Sequence, residues 1–393
     1  MRDRRIRLGM VGGGPGSLIG AIHRMAARLD DEYVLVAGCF SRDADSNNTS
    51  GQELRLASDR VYGSFEEMAA GEAERPPEDR IECVVIATPN NTHFAIAKTF
   101  LEHGFHVICD KPMTTSVVDA RELVRIVEES GLVFVVTYNY SGTPMVREAR
   151  RLFCSGEAGT LRKVLVEYLQ DGLARPLERQ GVKQAVWRMD PMQSGPGGTV
   201  VDIGTHADHL VEYVTGERVV EVCADTFTFG EGRTLDDDAG ILLRFENGAR
   251  GVMAVSQIAV GQESSFILRA FGDRASVTWS QEDPNYLRVG SYDEAPRLLG
   301  RGARYLTPSA RDQARTPAGH PEGFIEAFAG IYRDTARLIR DHAAGLPQAD
   351  KPSTVAAGVE PIVPDVQAGL RGILFAQAVA DSAAKGGVWQ AVV

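Results

Sequence analysis

"IRLGMVGGGPGSLIGAIH", Ile6 to His23, decides the fold. It opens on a short apolar run, Ile6–Val11, breaks into glycines, and resumes at helical spacing over Ala21–Leu29. A buried strand that runs through a glycine loop into a helix is the place where a doubly wound α/β fold binds a dinucleotide. Gly12, Gly14 and Gly20 would make the tight turn, admit the pyrophosphate and let the helix pack close. The helix N-terminus would then offer its unpaired N–H groups to the phosphates. The span from Gly12 to Gly20 is about three residues longer than a compact G-x-G-x-x-G, and Pro15-Gly16-Ser17 reads as the insertion.

Working outward, the apolar runs Tyr33–Phe40, Cys83–Thr88, His106–Cys109 and Leu132–Thr137 alternate with helix-like segments, among them "NTHFAIAKTFLEHG" and about Ser116–Glu129. Continuous apolar runs between amphipathic helices predict a parallel sheet covered on both faces. The end of the second run bears on cofactor choice. An acid there binds the ribose diol of NAD, and an arginine accommodates the phosphate of NADP. Here the residues are Phe40-Ser41-Arg42-Asp43. Ser41 and Arg42 can clamp a phosphate, while Asp43 can still turn inward. The expected cofactor is therefore NAD or NADP, with a tilt toward NADP.

Asp110-Lys111-Pro112 follows the run His106–Cys109. A polar pair at the C-terminal end of a parallel strand faces the ligand crevice. The proline disfavours helix at Lys111 and permits a cis bond, and either geometry gives the ammonium a fixed direction. The competing reading is a surface lysine at a strand end.

The stretch "VVDIGTHADHL", Val200–Leu210, holds Asp202, His206, Asp208 and His209. On a helix, Asp202 and His206 share a face. Gly195, Gly197 and Gly198 precede that helix, and Gly216 is placed to end it. Three readings compete: metal ligands, structural histidines, and acid–base chemistry. No other His/Cys/Asp/Glu cluster stands nearby in sequence to complete a metal site, so no metal is expected. Acid–base chemistry suits a nicotinamide enzyme, which moves a hydride to the cofactor and a proton to a base. His206 would be the base. Asp202 would orient the imidazole, and Lys111 would bind the reacting oxygen and stabilise alkoxide charge. Alternatively Lys111 takes the proton, its pKa lowered by burial and the neighbouring histidine.

From about Tyr140 the pattern changes to a connecting helix and then strand-like runs, "LRKVLVEYLQ", "VVEVCADTFTF", "AGILLRFENGARGVMAVSQIAV" and "SSFILRAFGDRASVTWSQ". Asn247-Gly248 is a hairpin turn signal, so this sheet is expected to be mainly antiparallel. One face can cover the active site, and the other is open to a second subunit. Val355–Pro364 reads as a loop before a last helix at about 365–384. Candidate substrate contacts are Asn139 and Tyr140, then Trp187, Arg188 and Asp190 in "WRMDP", His209, and His320 in "PAGHPEG". A polyol needs such polar groups and an aromatic wall; ordinary loop polarity is the competing reading. Arg175, Lys183 and Arg188 could instead bind an anionic group. His23, His93 and His103, taken singly, read as structural.

Composition narrows the classes. The net charge of −11 argues against a nucleic-acid or anionic-membrane partner. The basic N-terminus is followed by too short an apolar run for a secretory signal, and no run approaches a membrane span. Five scattered cysteines without a C-x-x-C argue against a disulfide framework or thiolate zinc site and lead us to expect a reducing, cytoplasmic setting.

The glycine loop, "ATPNNTH", Asp110-Lys111-Pro112 and "GPGGTVVDIGTHADHLVEYVTG", in this order and spacing, resemble the Gfo/Idh/MocA family of NAD(P)-dependent sugar and cyclitol oxidoreductases. The usual family tripeptide is Glu-Lys-Pro; Asp110 keeps its charge. The resemblance covers essentially the whole chain, since "DDDAGILLRFENGARG", "WSQEDPNYLRV" and "PAGHPEGFIEAF" agree as well. The long glycine loop and "WRMDP" suggest a subgroup with an enlarged substrate domain.

The resemblance implies an α/β protein with an N-terminal Rossmann domain, about 1–139, and a C-terminal α+β domain for substrate binding and oligomerisation, about 140–393. It implies catalytic roles for Lys111, Asp202 and His206. Its cofactor side would comprise Gly12, Gly14, Gly20, Ser41, Arg42, Pro89, Asn90, His93, Asp110 and Lys111. A homodimer or homotetramer is expected. The expected activity is NAD(P)-dependent oxidation of a secondary hydroxyl of a sugar, glycoside or inositol. The rivals are a redox-neutral, NAD-dependent glycosidase and a non-catalytic cofactor-binding sensor.

Overall fold

Five apolar runs become a parallel sheet in the order β2-β1-β3-β4-β5. They are β1 (Ile6–Gly12), β2 (Tyr33–Cys39), β3 (Cys83–Ala87), β4 (His106–Cys109) and β5 (Phe134–Val136). The computed structural model describes residues 4–176, 178, 190–346 and 363–393. Helices α1 (Leu18–Leu29), α2 (Ala44–Glu53), α3 (Phe65–Ala73), α4 (His93–Glu102) and α5 (Val117–Ser130) make the crossovers. Every residue of β3, β4 and β5 is buried, which is why these strands read as unbroken apolar runs rather than alternating ones.

Beyond α6 (Pro144–Cys154) the chain forms a nine-stranded sheet in the order β13-β12-β11-β10-β6-β9-β8-β7-β14. Its strands are β6 (Leu161–Leu169), β7 (Val219–Phe227), β8 (Asp238–Phe245), β9 (Arg250–Ser256), β10 (Ser265–Gly272), β11 (Ala275–Ser280), β12 (Tyr286–Ser291), β13 (Arg297–Gly300) and β14 (Gln390–Ala391). Only the β6–β9 pairing is parallel; the others are antiparallel. The β8–β9 hairpin turns at Asn247-Gly248, with Gly248 at φ +89° and Phe245 N donating to Ala249 O at 3.1 Å. Alternation is clear in β8, where Ala239, Ile241, Leu243 and Phe245 face inward. That inner face packs on α6, on α7 (Thr205–Thr215) and on α9 (Val366–Ala384).

A boundary near residue 140 separates the two sheets along the chain. It does not separate their packing. Helix α8 (Phe324–Ala343) lays Phe328, Ile331 and Tyr332 on one face of the parallel sheet beside α1. Helix α9 spans both cores, with Val366 and Ile373 under the parallel sheet and Phe375 and Val379 under the larger one. The two sheets are thereby held on either side of one cleft.

Candidate active site

The cleft lies at the C-terminal ends of β1–β4, as expected of an open parallel sheet. It has a volume of about 1240 Å³ and is lined from both halves of the molecule. At one end is the glycine loop. Gly12 turns at φ +82°, and a side chain there would meet Ala87 O at 2.4 Å. Gly20 lets α1 sit on the loop, since a Cβ would come within 2.3 Å of Gly13 Cα. Ser17 caps α1 by accepting from Gly20 N at 3.1 Å, so Leu18 and Ile19 of its first turn border the cleft. Gly14 and Gly20 do not line it. A Cβ at Gly14 would meet Phe40 O at 2.7 Å, and the inserted Pro15-Gly16-Ser17 lines the cleft.

Ser41 and Arg42 line the cleft beside this loop. Asp43 does not turn inward; its carboxylate caps α2, accepting from Ser46 N at 2.9 Å. Pro89 and Asn90 also line the cleft, and Asn90 Nδ2 donates to Ser194 O at 3.1 Å.

At the opposite end stand Lys111, Asp202 and His206. Lys111 follows β4 and is joined to Pro112 by a cis peptide. Its Nζ donates to Asp202 Oδ1 at 2.5 Å and to Asp202 O at 2.7 Å. Asp202 lies in a π-helical turn, Val200–Gly204, that runs into α7. Single turns of π-helix are frequent at functional sites. The turn is seated by Asp236, whose carboxylate accepts from Gly198 N at 2.7 Å and Val200 N at 2.9 Å. Gly198 is required there, because a Cβ would lie 2.3 Å from Asp236 O. Asp202 Oδ2 accepts from Gln257 Nε2 at 2.9 Å, and Gln257 Oε1 accepts from Thr199 Oγ1 at 2.9 Å. Asp202 therefore spends its carboxylate on Lys111 and Gln257. It acts on His206 through its charge, which favours the protonated ring.

His206 is buried among Tyr138, Tyr140 and Tyr168, and its Nδ1 has no partner among the described residues. Burial, then the Lys111 charge, lowers its pKa to about 3, so the ring is neutral. Tyr140 and Tyr168 share a hydroxyl–hydroxyl bond of 2.6 Å on the cleft wall. Asn139 lines the same wall, and its Nδ2 is buried without a partner among the described residues. Asp110 also borders the cleft and accepts from Thr137 Oγ1 at 2.8 Å. Burial acts to raise its carboxyl; His23, Lys111 and His93 outweigh that and hold it well below the ordinary range.

Four expected contacts lie elsewhere. His93 is behind the cleft, tying two loops together through Nδ1 with Pro112 O at 2.8 Å and Nε2 with Thr88 O at 2.9 Å. His209, three residues beyond His206, is turned off the cleft and stacks on Tyr138 with ring centroids 4.5 Å apart. Asp190 caps the short helix Pro191–Ser194, accepting from Met192 N at 3.0 Å, and its neighbour Gln193 lines the cleft instead. His320 is exposed and borders a separate cavity. Trp187, Arg188 and Lys183 lie outside the described residues, and Arg175 is exposed. Among the described residues no group of three or more His, Cys, Asp or Glu is arranged to hold a metal ion.

Residues 6–138 match the profile of the oxidoreductase family with an NAD-binding Rossmann fold, and residues 146–278 match the Gfo/Idh/MocA C-terminal domain. The chain belongs to the Gfo/Idh/MocA family. This Gfo/Idh/MocA protein is 34% identical over 391 residues to the uncharacterized oxidoreductase YfiI of Bacillus subtilis, covering 98% of this chain and 97% of that one. It is similar to the levoglucosan dehydrogenase of Pseudarthrobacter phenanthrenivorans, at 26% identity over 75% of this chain and 78% of the relative. Among solved structures it resembles an inositol dehydrogenase homologue from Azotobacter vinelandii complexed with NAD+, with TM-score 0.91, 35% identity, and coverage of 99% and 98%. The protein is an NAD-binding oxidoreductase acting on CH–OH groups. The cleft suits that cofactor: its glycine cradle would be filled by a Cβ at Gly12, and orphaned polar atoms of Asn139 and His206 stand near the far end.

Proposed function

We propose that this enzyme oxidises a secondary hydroxyl of a neutral sugar, glycoside or inositol, with Lys111, Asp202 and His206 as its working set. The observation that carries this reading is the Lys111–Asp202 pair standing beside the unpartnered His206 Nδ1, in a cleft whose other end is the glycine loop. When bound, the nicotinamide supplies the hydride acceptor for the carbinol carbon. An ammonium has three N–H groups; Lys111 gives two to Asp202 and the third to the reacting oxygen. On this reading Lys111 stabilises alkoxide charge rather than taking the proton. His206, neutral and lining the cleft, accepts the hydroxyl proton. The C–H and O–H bonds are lost, a carbonyl forms, and the proton rests on His206. Tyr140, Tyr168 and Asn139 hold the remaining hydroxyls.

Relatives with solved structures include one complexed with NADH and myo-inositol, which supports a cyclitol or sugar as the substrate class. Ser41 and Arg42 leave room for the phosphate of NADP as well as for NAD. Association into a homodimer or homotetramer through the open face of the nine-stranded sheet fits the exposed cross-strand pair Leu242–Val252. No helix among the described residues is long and apolar enough to cross a membrane, and all five cysteines are free, which fits a reducing compartment.

The test is reduction of NAD and NADP against inositols, aldoses, sugar acids and glycosides, followed by absorbance. Growth of the signal with a polyol is expected. Lys111→Met and His206→Ala should each lower kcat by about 10²- to 10⁴-fold, while cofactor Kd stays within about threefold. Near-normal turnover in both variants would sink the assignment. Aglycone release without net reduction would point to the redox-neutral glycosidase, and cofactor binding with no redox change under any polyol would point to the sensor.

A further inference from the structure

The cleft does not end at His206. Ser264 and Gln281 line it and also line a second cavity of about 1010 Å³, walled by β12, the turn after β13 and the loop leading into α8. That cavity is built rather than left over. Arg301, with a side chain 3% exposed, donates from Nη1 to Thr316 O at 2.8 Å and Glu322 Oε1 at 2.9 Å, and from Nε to Asn285 Oδ1 at 2.7 Å. Glu322 Oε1 also accepts from Arg315 N and Thr316 N, both at 2.6 Å. A buried ion pair with this many bonds is weak evidence of added stability; it does fix the shape of the wall around it.

Two acceptors on the wall are unspent. Gln281 Oε1 and Glu322 Oε2 are buried with no partner among the described residues. Such groups are few in a native structure, and a ligand hydroxyl would satisfy one. Tyr286 and Tyr305, 43% and 64% exposed, offer aromatic surface at the rim. Glu282 and Asp283 stand on the same wall, which makes the cavity hostile to phosphates and sugar acids. An uncharged, hydroxyl-rich ring with an apolar face fits these walls.

We propose that this second cavity is a subsite for a further sugar ring, so that the substrate is a neutral disaccharide or glycoside. Its oxidised ring lies at Lys111 and His206, and its linked ring lies beyond Ser264 and Gln281. This rests on the dehydrogenase reading above. It also gives His320, which borders this cavity and not the cleft, a place beside the substrate.

The test is steady-state kinetics of the cofactor-loaded enzyme. Glucose, myo-inositol and scyllo-inositol serve as single rings; maltose, cellobiose, sophorose and trehalose serve as two-ring substrates. At least one two-ring substrate is expected to exceed every single ring in kcat/KM by tenfold or more. Ala318→Trp, at an exposed position on the loop bordering the cavity, should erase that advantage and leave single-ring kinetics within twofold. Tyr286→Ala, on a different element, should reduce the same ratio. Single rings oxidised at least as well as every two-ring substrate would overturn the subsite while leaving the dehydrogenase reading intact. So would an equal loss for both classes in Ala318→Trp and Tyr286→Ala. If no sugar of either size reduces the cofactor, the dehydrogenase reading fails and the subsite falls with it.

Discussion

Gln257 is one residue past β9, and nothing in "GVMAVSQIAV" marks it as different from a strand-end polar residue. In space it donates to Asp202 Oδ2 and is itself braced by Thr199 and by Gln170, 3.2 Å away at Oε1. Lys111 and His206 could be found in the sequence because each sits in a short motif with its own chemistry. Gln257 could not, because its partner is 55 positions away and the pairing exists only once β9 lies beside β6 and under the π-helical turn. The resulting role is positional: Gln257 holds the carboxylate that holds Lys111. Removing a hydrogen bond to a charged group costs about 1.5–3 kcal/mol, so Gln257→Leu should lower kcat by roughly 10- to 100-fold with KM for the cofactor unchanged. Gln257→Glu makes a sharper case. A second carboxylate beside Asp202 raises the proton affinity of the pair. Protonation then loosens the grip on Lys111, so activity should fall as pH drops through the slightly acidic range. His206, with its pKa lowered to about 3, contributes no acid limb there, so a new limb belongs to the carboxylate pair. A pH profile of kcat/KM identical in shape to that of the unaltered enzyme would refute the positioning role.

Among the elements, many that bury apolar faces were legible, and α2, which docks through polar atoms, was not. The five parallel strands and α1, α4 and α5 follow from hydrophobic runs and spacing. Helix α2, "ADSNNTSGQE", has no apolar stripe. It docks through Asn47, whose Oδ1 accepts from Phe40 N at 2.7 Å and whose Nδ2 donates to Tyr62 O at 2.8 Å. Periodicity cannot register that kind of anchor. The consequence is functional, because α2 draws Asp43 into its N-cap and leaves Arg42 on the cleft wall. An arginine in this place contacts a 2′-phosphate and has little to offer a diol. Arg42→Ala should therefore lower kcat/KM for NADP by about 10- to 100-fold, the worth of a charge-assisted hydrogen bond, and change that for NAD by less than about threefold. Equal losses with the two cofactors would show that Arg42 serves the adenosine end in general and does not read the phosphate.

On the scale of the whole molecule, the strand-like runs and the Asn247-Gly248 turn led us to expect a mainly antiparallel sheet with one covered and one open face; β8 and β9 alternate buried and exposed residues accordingly. The return of α8 and α9 to the parallel sheet was not legible, since an amphipathic pattern gives a helix a buried face without naming what covers it. That return occupies the inner side of the sheet, and among the described residues nothing covers Leu242 and Val252 on its outer face. Across it runs one register row: Cys223 pairs with Leu242, Leu242 with Val252, and Val252 with Leu165. Leu242 and Val252 are 46% and 38% exposed, an apolar strip at the middle of a broad sheet rather than a scatter of single residues. On the proposed reading, this face pairs with the same face of a second copy in a two-fold interface. Light scattering on the purified protein should give at least twice the monomer mass. Introducing charge into the middle of the row, with Leu242→Glu and Val252→Glu together, should move it toward the monomer without loss of secondary structure, because both side chains already face outward. A monomeric parent protein, or a double variant that keeps the parent's mass, would rule out this face as the interface.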